Sequence, residues 1–387
     1  MHILIIPSEH FITQSQPLGG IFQYHQAKVL SKVGHKIGIL SVGYITPGYL
    51  FNKYHYEKKE NIENINILRF YKQLYFPHRF IPFSILKDGY IQMADNLYNK
   101  YINEFGKPDI IHAHNFLYAG VVSNYLNQKY NIPYMITEHS SSLVKTKFTK
   151  NKIDAIRSIA KNAFQMTAVS SAFVKVLKSI IDVDVEILPN VLDEFFIQQY
   201  FIKNEIENFV FLNIASLDKN KNHILLIKAF ASKFKGTKAV LKIGGSGYML
   251  NKLFLLVKDL EIEKQVEFLG RLTQEKVRQE MVHADCFVLP SNYETFGVVL
   301  IEALACRIPL IATKCGGPED IVNDTNGILV DVGSQKQLEN AMLYMYENAK
   351  KFNKRHLRED TIKRFGENTF ITNAVKYYEI VVNHAKQ

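Results

Sequence analysis

The chain has no tryptophan, only three cysteines, and fewer acidic than basic residues. It also lacks any run of about 18 uncharged apolar residues, the length a membrane-spanning helix needs. The N-terminus passes from Met1-His2 directly into Ile3-Leu4-Ile5-Ile6, with no basic leader and no cleavage site. A cytoplasmic protein is therefore expected. Cys286, Cys306 and Cys315 are odd in number, fall on elements that read as buried and have no metal-ligand spacing, which argues against a disulfide or zinc framework. With 387 residues, 47% of them apolar, and no low-complexity tract, the chain is long enough for two cores of nearly 200 residues each.

The shortage of acid is local. Residues 1 to 190 carry 21 Lys and Arg against 13 Asp and Glu, whereas the remainder carries 26 against 24. No nucleic-acid-binding motif accompanies this excess, so no nucleic acid partner is expected. Attraction to an anionic membrane surface, attraction to an acidic acceptor and a plain solvated surface all account for it.

The chain alternates strands and helices throughout. Residues 1–6 read as a buried strand, Gly19-Gly20 precedes a helix over 21–33, and 36–42 reads as a second strand, which together make a βαβ opening. The stretch from Tyr44 to Phe83 is rich in Tyr, Phe, Lys and His, densest from Tyr71 to Phe80, and reads as core aromatics among surface charges or as an acceptor-facing surface. Asp88 to Glu104 has helical periodicity. Two further apolar runs, Asp109 to His114 and Tyr134 to His139, end in histidines where ligands meet the carboxyl ends of parallel strands. Asp182-Val183-Asp184 has the spacing of a metal-binding pair, but on a turn, and is discounted. After an expected hinge near 190–208, Phe209 to Ala215 opens a second alternating half. In it, Lys221 sits in the turn before a helix, and Gly244-Gly245-Ser246-Gly247 follows a strand. A helix over 365–384 with Tyr377, Ile380 and Val381 on one face closes the chain.

Residues 283 to 322 are the most informative. Cys286 to Leu289 reads as a strand closed by Pro290-Ser291, Val298 to Ala305 as an apolar helix, and Pro309 to Thr313 as the next strand. Glu294 precedes the helix and Glu302 lies within it, about 12 Å apart at helical rise. Between them the amides around Thr295, Phe296, Gly297 and Val298 stand at a helix N-terminus, which favours an anion, and Gly297 admits close approach. Carboxylate, anion site and carboxylate in that order match the span from a sugar across a diphosphate to a ribose.

Glu294 to Glu302, with the flanking Pro290-Ser291, Pro309 and Gly316-Gly317-Pro318-Glu319, resembles the Glu-x7-Glu motif of retaining glycosyltransferases of family 4 (group 1). That resemblance implies an α/β chain with the GT-B fold: two facing Rossmann-like domains with parallel sheets, and a C-terminal helix crossing back. The expected boundaries are 1–190 for acceptor binding, 191–365 for the nucleotide sugar and 366–387 for the returning helix. It implies transfer of a sugar from a nucleoside-diphosphate sugar, a UDP-sugar first, to a hydroxyl of a glycan or lipid-linked acceptor, with retention of configuration and neither metal nor other cofactor. Asn, Ile, Lys and Tyr abound as in AT-rich bacterial genomes, so bacterial surface or lipid-linked glycan synthesis is the expected setting, with peripheral contact at the inner face of an anionic membrane.

The residues carried over are His139 beside the transferred sugar and Glu294 on the sugar hydroxyls. Gly19, Gly20, Lys221, Gly245, Thr295, Phe296, Gly297 and Val298 are expected around the diphosphate, and Glu302 on the ribose; His114 is a second histidine candidate. Two positions depart from the family pattern. Ser216 stands where an arginine is usual, with Arg271 as a candidate replacement, and Arg307 stands where glycine is usual. An epimerase of the same fold and a non-catalytic donor-binding subunit are the alternatives.

Overall fold

The computed structural model describes residues 1–11, 19–45, 56–73, 81, 83–145, 148–197 and 208–386. The aromatic stretch 74–80 and most of the expected hinge, 198–207, lie outside them. The chain divides into two compact units: residues 1–169, 173–191 and 370–387 form one, and 170–172 with 192–369 form the other.

Among the described residues, the first unit holds an eight-stranded sheet: β1 (His2–Ile6), β2 (Lys36–Ile45), β3 (Tyr56–Ile62), β4 (Ile65–Gln73), β5 (Ile110–His114), β6 (Tyr134–Glu138), β7 (Gln165–Ala168) and β8 (Glu186–Ile187). Their order is β3-β4-β2-β1-β5-β6-β7-β8. All pairs are parallel except the β3–β4 hairpin. β1, β5 and β6 are buried along their whole length; each carries an apolar run, as strands covered on both sides do, and β5 and β6 turn polar toward their carboxyl ends at His112, His114, Thr137 and Glu138.

The hairpin occupies part of the aromatic stretch, where the sequence pattern announces no strand. β3 reads Tyr-Glu-Lys-Lys-Glu-Asn-Ile and gains its conformation from pairing with β4. Charged side chains suit its position at the sheet edge. Arg69 of β4 is nearly fully buried, donating to the Phe11 carbonyl at 2.9 Å and pairing with Glu60.

The last helix, Glu367–His384, belongs to the first unit's core, where Phe370, Ala374, Tyr377, Tyr378 and Val381 pack with Ile3, Ile5, Ile37 and Met135. One expectation is corrected here. Ile380 is 40% exposed and off the buried face, which Tyr378 occupies instead because residues 374, 377, 378 and 381 form the helical stripe.

The second unit holds a parallel sheet of β9 (Val210–Ile214), β10 (Val240–Gly244), β11 (Val266–Gly270), β12 (Cys286–Leu289), β13 (Leu310–Thr313) and β14 (Gly327–Val330), in the order β11-β10-β9-β12-β13-β14. Helices His223–Phe234 and Gln335–Asn348 cover one face through Leu226, Phe230, Leu338 and Met342. In both sheets the strand order reverses beside the first strand of the unit, between β1 and β5 and between β9 and β12. A doubly wound sheet opens a crevice at such a reversal.

Candidate functional site

In the second unit the site residues follow β9, β10, β12 and β13. After β9, Asp218 accepts from the amides of Asn220 at 2.7 Å and Lys221 at 3.2 Å, winding 219–221 into one tight turn. Asn222 then takes a left-handed conformation, φ 51°, before the helix starts at His223. That turn is clasped to the loop after β12. The Asn220 carbonyl accepts from the Asn292 amide at 2.7 Å, and the Asn220 side chain donates to the Tyr293 carbonyl at 2.9 Å. The clasp brings Lys221 Nζ to 2.5 Å from Glu294 Oε1, which also accepts from the Ser291 hydroxyl at 2.6 Å.

Glu294 is held equally firmly through its backbone. Its amide donates to the Cys315 carbonyl and its carbonyl accepts from Gly317, an isolated parallel bridge to the loop after β13. A side chain at Gly317 would stand 2.2 Å from the Phe296 Cα, so Gly316-Gly317 serves close backbone packing under the turn that leads into the helix Val298–Ala305. Gly297, φ 98°, caps the helix Val298–Ala305, while Phe296 is buried and meets Phe365 edge-on at 5.6 Å. The first-turn amides of that helix have no carbonyl four residues back to bond, an arrangement that in general favours an anion.

The side chain of Glu302, two turns along, makes no hydrogen bond or ion pair among the described residues. Burial, with the charge of Asp193 adding, pushes its carboxyl up to about 8. Because the folded-state value lies above the unfolded one, this group stabilises the fold below about pH 4.5, and that contribution is lost as pH rises toward 8. Glu302→Gln should therefore gain on the natural chain as pH rises from 5 to 8, by up to about 1.4 kcal/mol per pH unit, less for partial exposure. Urea unfolding of both proteins at pH 5, 6.5 and 8 checks this; a gap that stays constant would mean the carboxyl is already ionised.

Ser216 does not present a free hydroxyl at the arginine-like position, for it donates to Asp218 at 2.7 Å. Arg271, just beyond β11, is exposed and has no hydrogen bond or ion pair among the described residues. Gly245, φ 133°, lies where a Cβ would come within 1.8 Å of the Ala215 carbonyl oxygen, and its amide donates to Gly270 at 2.7 Å. Its first task is thus to let two loops touch. Arg307 takes φ 69°, a left-handed conformation that favours glycine.

In the first unit, Gly20 caps the helix Ile21–Lys32 at φ 71°, and Phe11 packs where its side chain would be. Gly19 is the turn residue before it. His112 is enclosed between Tyr378 Oη at 2.8 Å and Thr137 Oγ1 at 2.7 Å, which ties the last helix to the sheet and gives this histidine a structural place. His114 Nδ1 and His139 Nε2 are 2.9 Å apart. Burial pulls His139 down to about 4 and His114 well below its usual value, so both are neutral near pH 7 and share one proton in their bond. His139 and His114 lie in one compact unit, and Lys221, Glu294 and Glu302 in the other.

Sequence reasoning passed over Ser291, Asp218 and the Asn220–Asn292 clasp. Only Asp218 had a local signal, an acidic residue three before the lysine. No group of three His, Cys, Asp or Glu able to hold a metal ion occurs among the described residues. No helix among them is long and apolar enough to cross a membrane.

Comparison with known proteins agrees with this architecture. Residues 20–194 match the model described as Glycosyltransferase Family 4, and residues 196–364 the model described as Glycosyl transferases group 1. The chain is 26% identical over 325 residues to an uncharacterized glycosyltransferase of Methanocaldococcus jannaschii, covering 79% of this chain and 78% of that protein. It is 27% identical over 366 residues to the putative teichuronic acid biosynthesis glycosyltransferase TuaC of Bacillus subtilis, with 88% of each covered. Among solved structures, sucrose-phosphate synthase from Thermosynechococcus elongatus superposes with a TM-score of 0.78 at 18% identity over 98% of both chains. HepE of Anabaena, solved in complex with UDP-glucose, superposes at 0.69 with 19% identity over 98% of this chain and 99% of that one. The chain has the GT-B fold and belongs to the group 1, family 4 glycosyltransferases.

Proposed function

We propose that this glycosyltransferase takes its sugar from a nucleoside-diphosphate sugar held by the second unit and passes it to a hydroxyl of an acceptor held by the first. The observation that carries this reading is the cation–carboxylate pair of Lys221 and Glu294 at the mouth of a helix N-terminus, in the crevice where the strand order reverses. A departing diphosphate needs positive charge and amide donors placed in advance, and Lys221 with the turn 295–298 supplies both. Glu294, already oriented by Ser291, accepts from the sugar hydroxyls. Glu302 accepts from the ribose, where a carboxyl without a protein partner gains one.

Transfer with retention of configuration, without metal, is the chemistry proposed, with neutral His139 beside the sugar. The HepE complex with UDP-glucose supports a UDP-sugar as donor, and the teichuronic acid biosynthesis named for TuaC supports a bacterial glycan as product. The basic first half suits an anionic membrane carrying such an acceptor.

Melting temperature in the presence of UDP-, GDP-, ADP- and CMP-linked sugars, with and without Mg²⁺, tests the donor side, because a ligand that binds only the folded state raises it. A rise with one base, independent of Mg²⁺, is expected. No rise with any donor would remove the nucleotide-sugar reading.

A further inference from the structure

The first unit contains a cavity of about 220 Å³ at the carboxyl ends of β1, β5 and β6, at the reversal of strand order between β1 and β5. Its lining includes Ser8, Glu9, Asn115, Tyr118, Glu138 and Ser140. Extending the reading of this unit as the acceptor side, we propose that the cavity receives an uncharged, hydroxyl-bearing sugar ring of the acceptor and turns away phosphorylated or carboxylated ones.

Four observations carry this. The volume is below the roughly 300–1,000 Å³ of pockets for drug-sized ligands, so one ring fits and a chain does not. The lining has two carboxyl groups and, among the described residues, no Lys, Arg or His to meet an anion. Glu138 is held from both sides, Oε2 accepting from the Phe116 amide and Oε1 from the Ser140 amide, each at 2.8 Å. Each oxygen keeps acceptor capacity for a hydroxyl donor. Burial, with Glu9 nearby, pushes its carboxyl up to about 7, and burial raises Glu9 as well. A second anion would add to a charge the site already resists, whereas a polyol brings only donors and acceptors. Tyr118 supplies an aromatic wall, fixed by stacking on Tyr90 with ring centroids 4.2 Å apart.

Glu138 also closes two loops, so its replacement could disturb the fold. Glu9, whose side chain accepts from Gln23 at 3.4 Å, is the better probe. Ser142 also lines the cavity, so Ser142→Leu fills it while leaving both carboxyl groups in place. Saturation-transfer NMR on the full chain with methyl α-D-glucopyranoside, methyl α-D-galactopyranoside, the methyl glycoside of N-acetylglucosamine and glucose 6-phosphate reads the outcome.

At least one neutral glycoside is expected to bind, and glucose 6-phosphate is not. Glu9→Gln should weaken the glycoside about tenfold, as the loss of one hydrogen bond to a charged group does, and should narrow the discrimination against the phosphate. Ser142→Leu should abolish the signal, with melting curves showing both variants folded. Silence from every neutral glycoside, a preference for the phosphate, or signals unchanged in both folded variants would overturn the proposal. UDP-induced stabilisation measured on the same samples keeps the two readings apart. Stabilisation with no glycoside signal would remove this inference alone, and a glycoside signal without nucleotide stabilisation would remove the donor reading while leaving a sugar site here.

Discussion

Glu294→Ala is expected to lower kcat/KM for sugar transfer by at least roughly a hundredfold, the scale on which one preorganised transition-state contact is lost. The fold should survive, because Glu294 is held in place by main-chain bonds to Cys315 and Gly317 that the substitution leaves intact. The side-chain loss frees Lys221 Nζ from its 2.5 Å partner. Its charge is then available to a diphosphate without competition. Binding of UDP alone should therefore be equal or tighter, while transfer from the UDP-sugar collapses. Calorimetric titration with UDP beside a transfer assay separates the two effects. Glu294→Gln keeps an acceptor for Ser291 but not the ion pair, and should fall between. Turnover near that of the natural chain in the alanine variant would remove Glu294 from the chemistry.

Gly245→Ala should destabilise the second unit by about 3 kcal/mol or more, through a steric clash and a backbone conformation that L side chains avoid. The added methyl would lie 1.8 Å from the Ala215 carbonyl oxygen, and neither side has a flexible end to move. Ala215 follows β9, and Gly245 follows β10, so relief means prising apart the strand ends that carry the Lys221 turn. Gly270→Ala is the control. It also has positive φ, 67°, but nothing stands within 4 Å of the new methyl, so only the conformational cost of about 1 kcal/mol applies. Chemical unfolding of both variants would show the difference. A Gly245→Ala loss no larger than that of Gly270→Ala would mean the loops separate freely.

Local chemistry made part of this readable in advance. Glu294, Gly297 and Glu302 lie on one strand–turn–helix segment whose geometry follows from helical rise and from glycine at the cap, so their spacing could be read without a fold. Lys221 stands out by resemblance to the family's turn, and its place after a strand and before a helix is what local pattern adds. The β3–β4 hairpin was not, because its charged edge strand has no periodic apolar pattern and exists only by pairing. Neither was the Ile380 error avoidable from hydropathy, since Ile380 and Tyr378 differ in which one the first unit's core admits. Glu9 and Glu138 stand far apart in the chain, and nothing near either marks it as lining a cavity.

The alternation of strands and helices, the two cores and the glycine-capped helix start at Gly297 were all written locally in the chain, because each depends on neighbours within a few residues. That Lys221 and Glu294, 73 residues apart, meet could not be read locally, because it requires β9 and β12 to lie side by side and an asparagine clasp to lock their loops. Tertiary structure likewise decided that His114 bonds His139 and that His112 bonds the last helix. The physical reason is the same in each case. Short-range geometry is written in torsions and spacing, whereas the pairing of distant side chains is set by strand order and by which polar groups the packed core leaves without water.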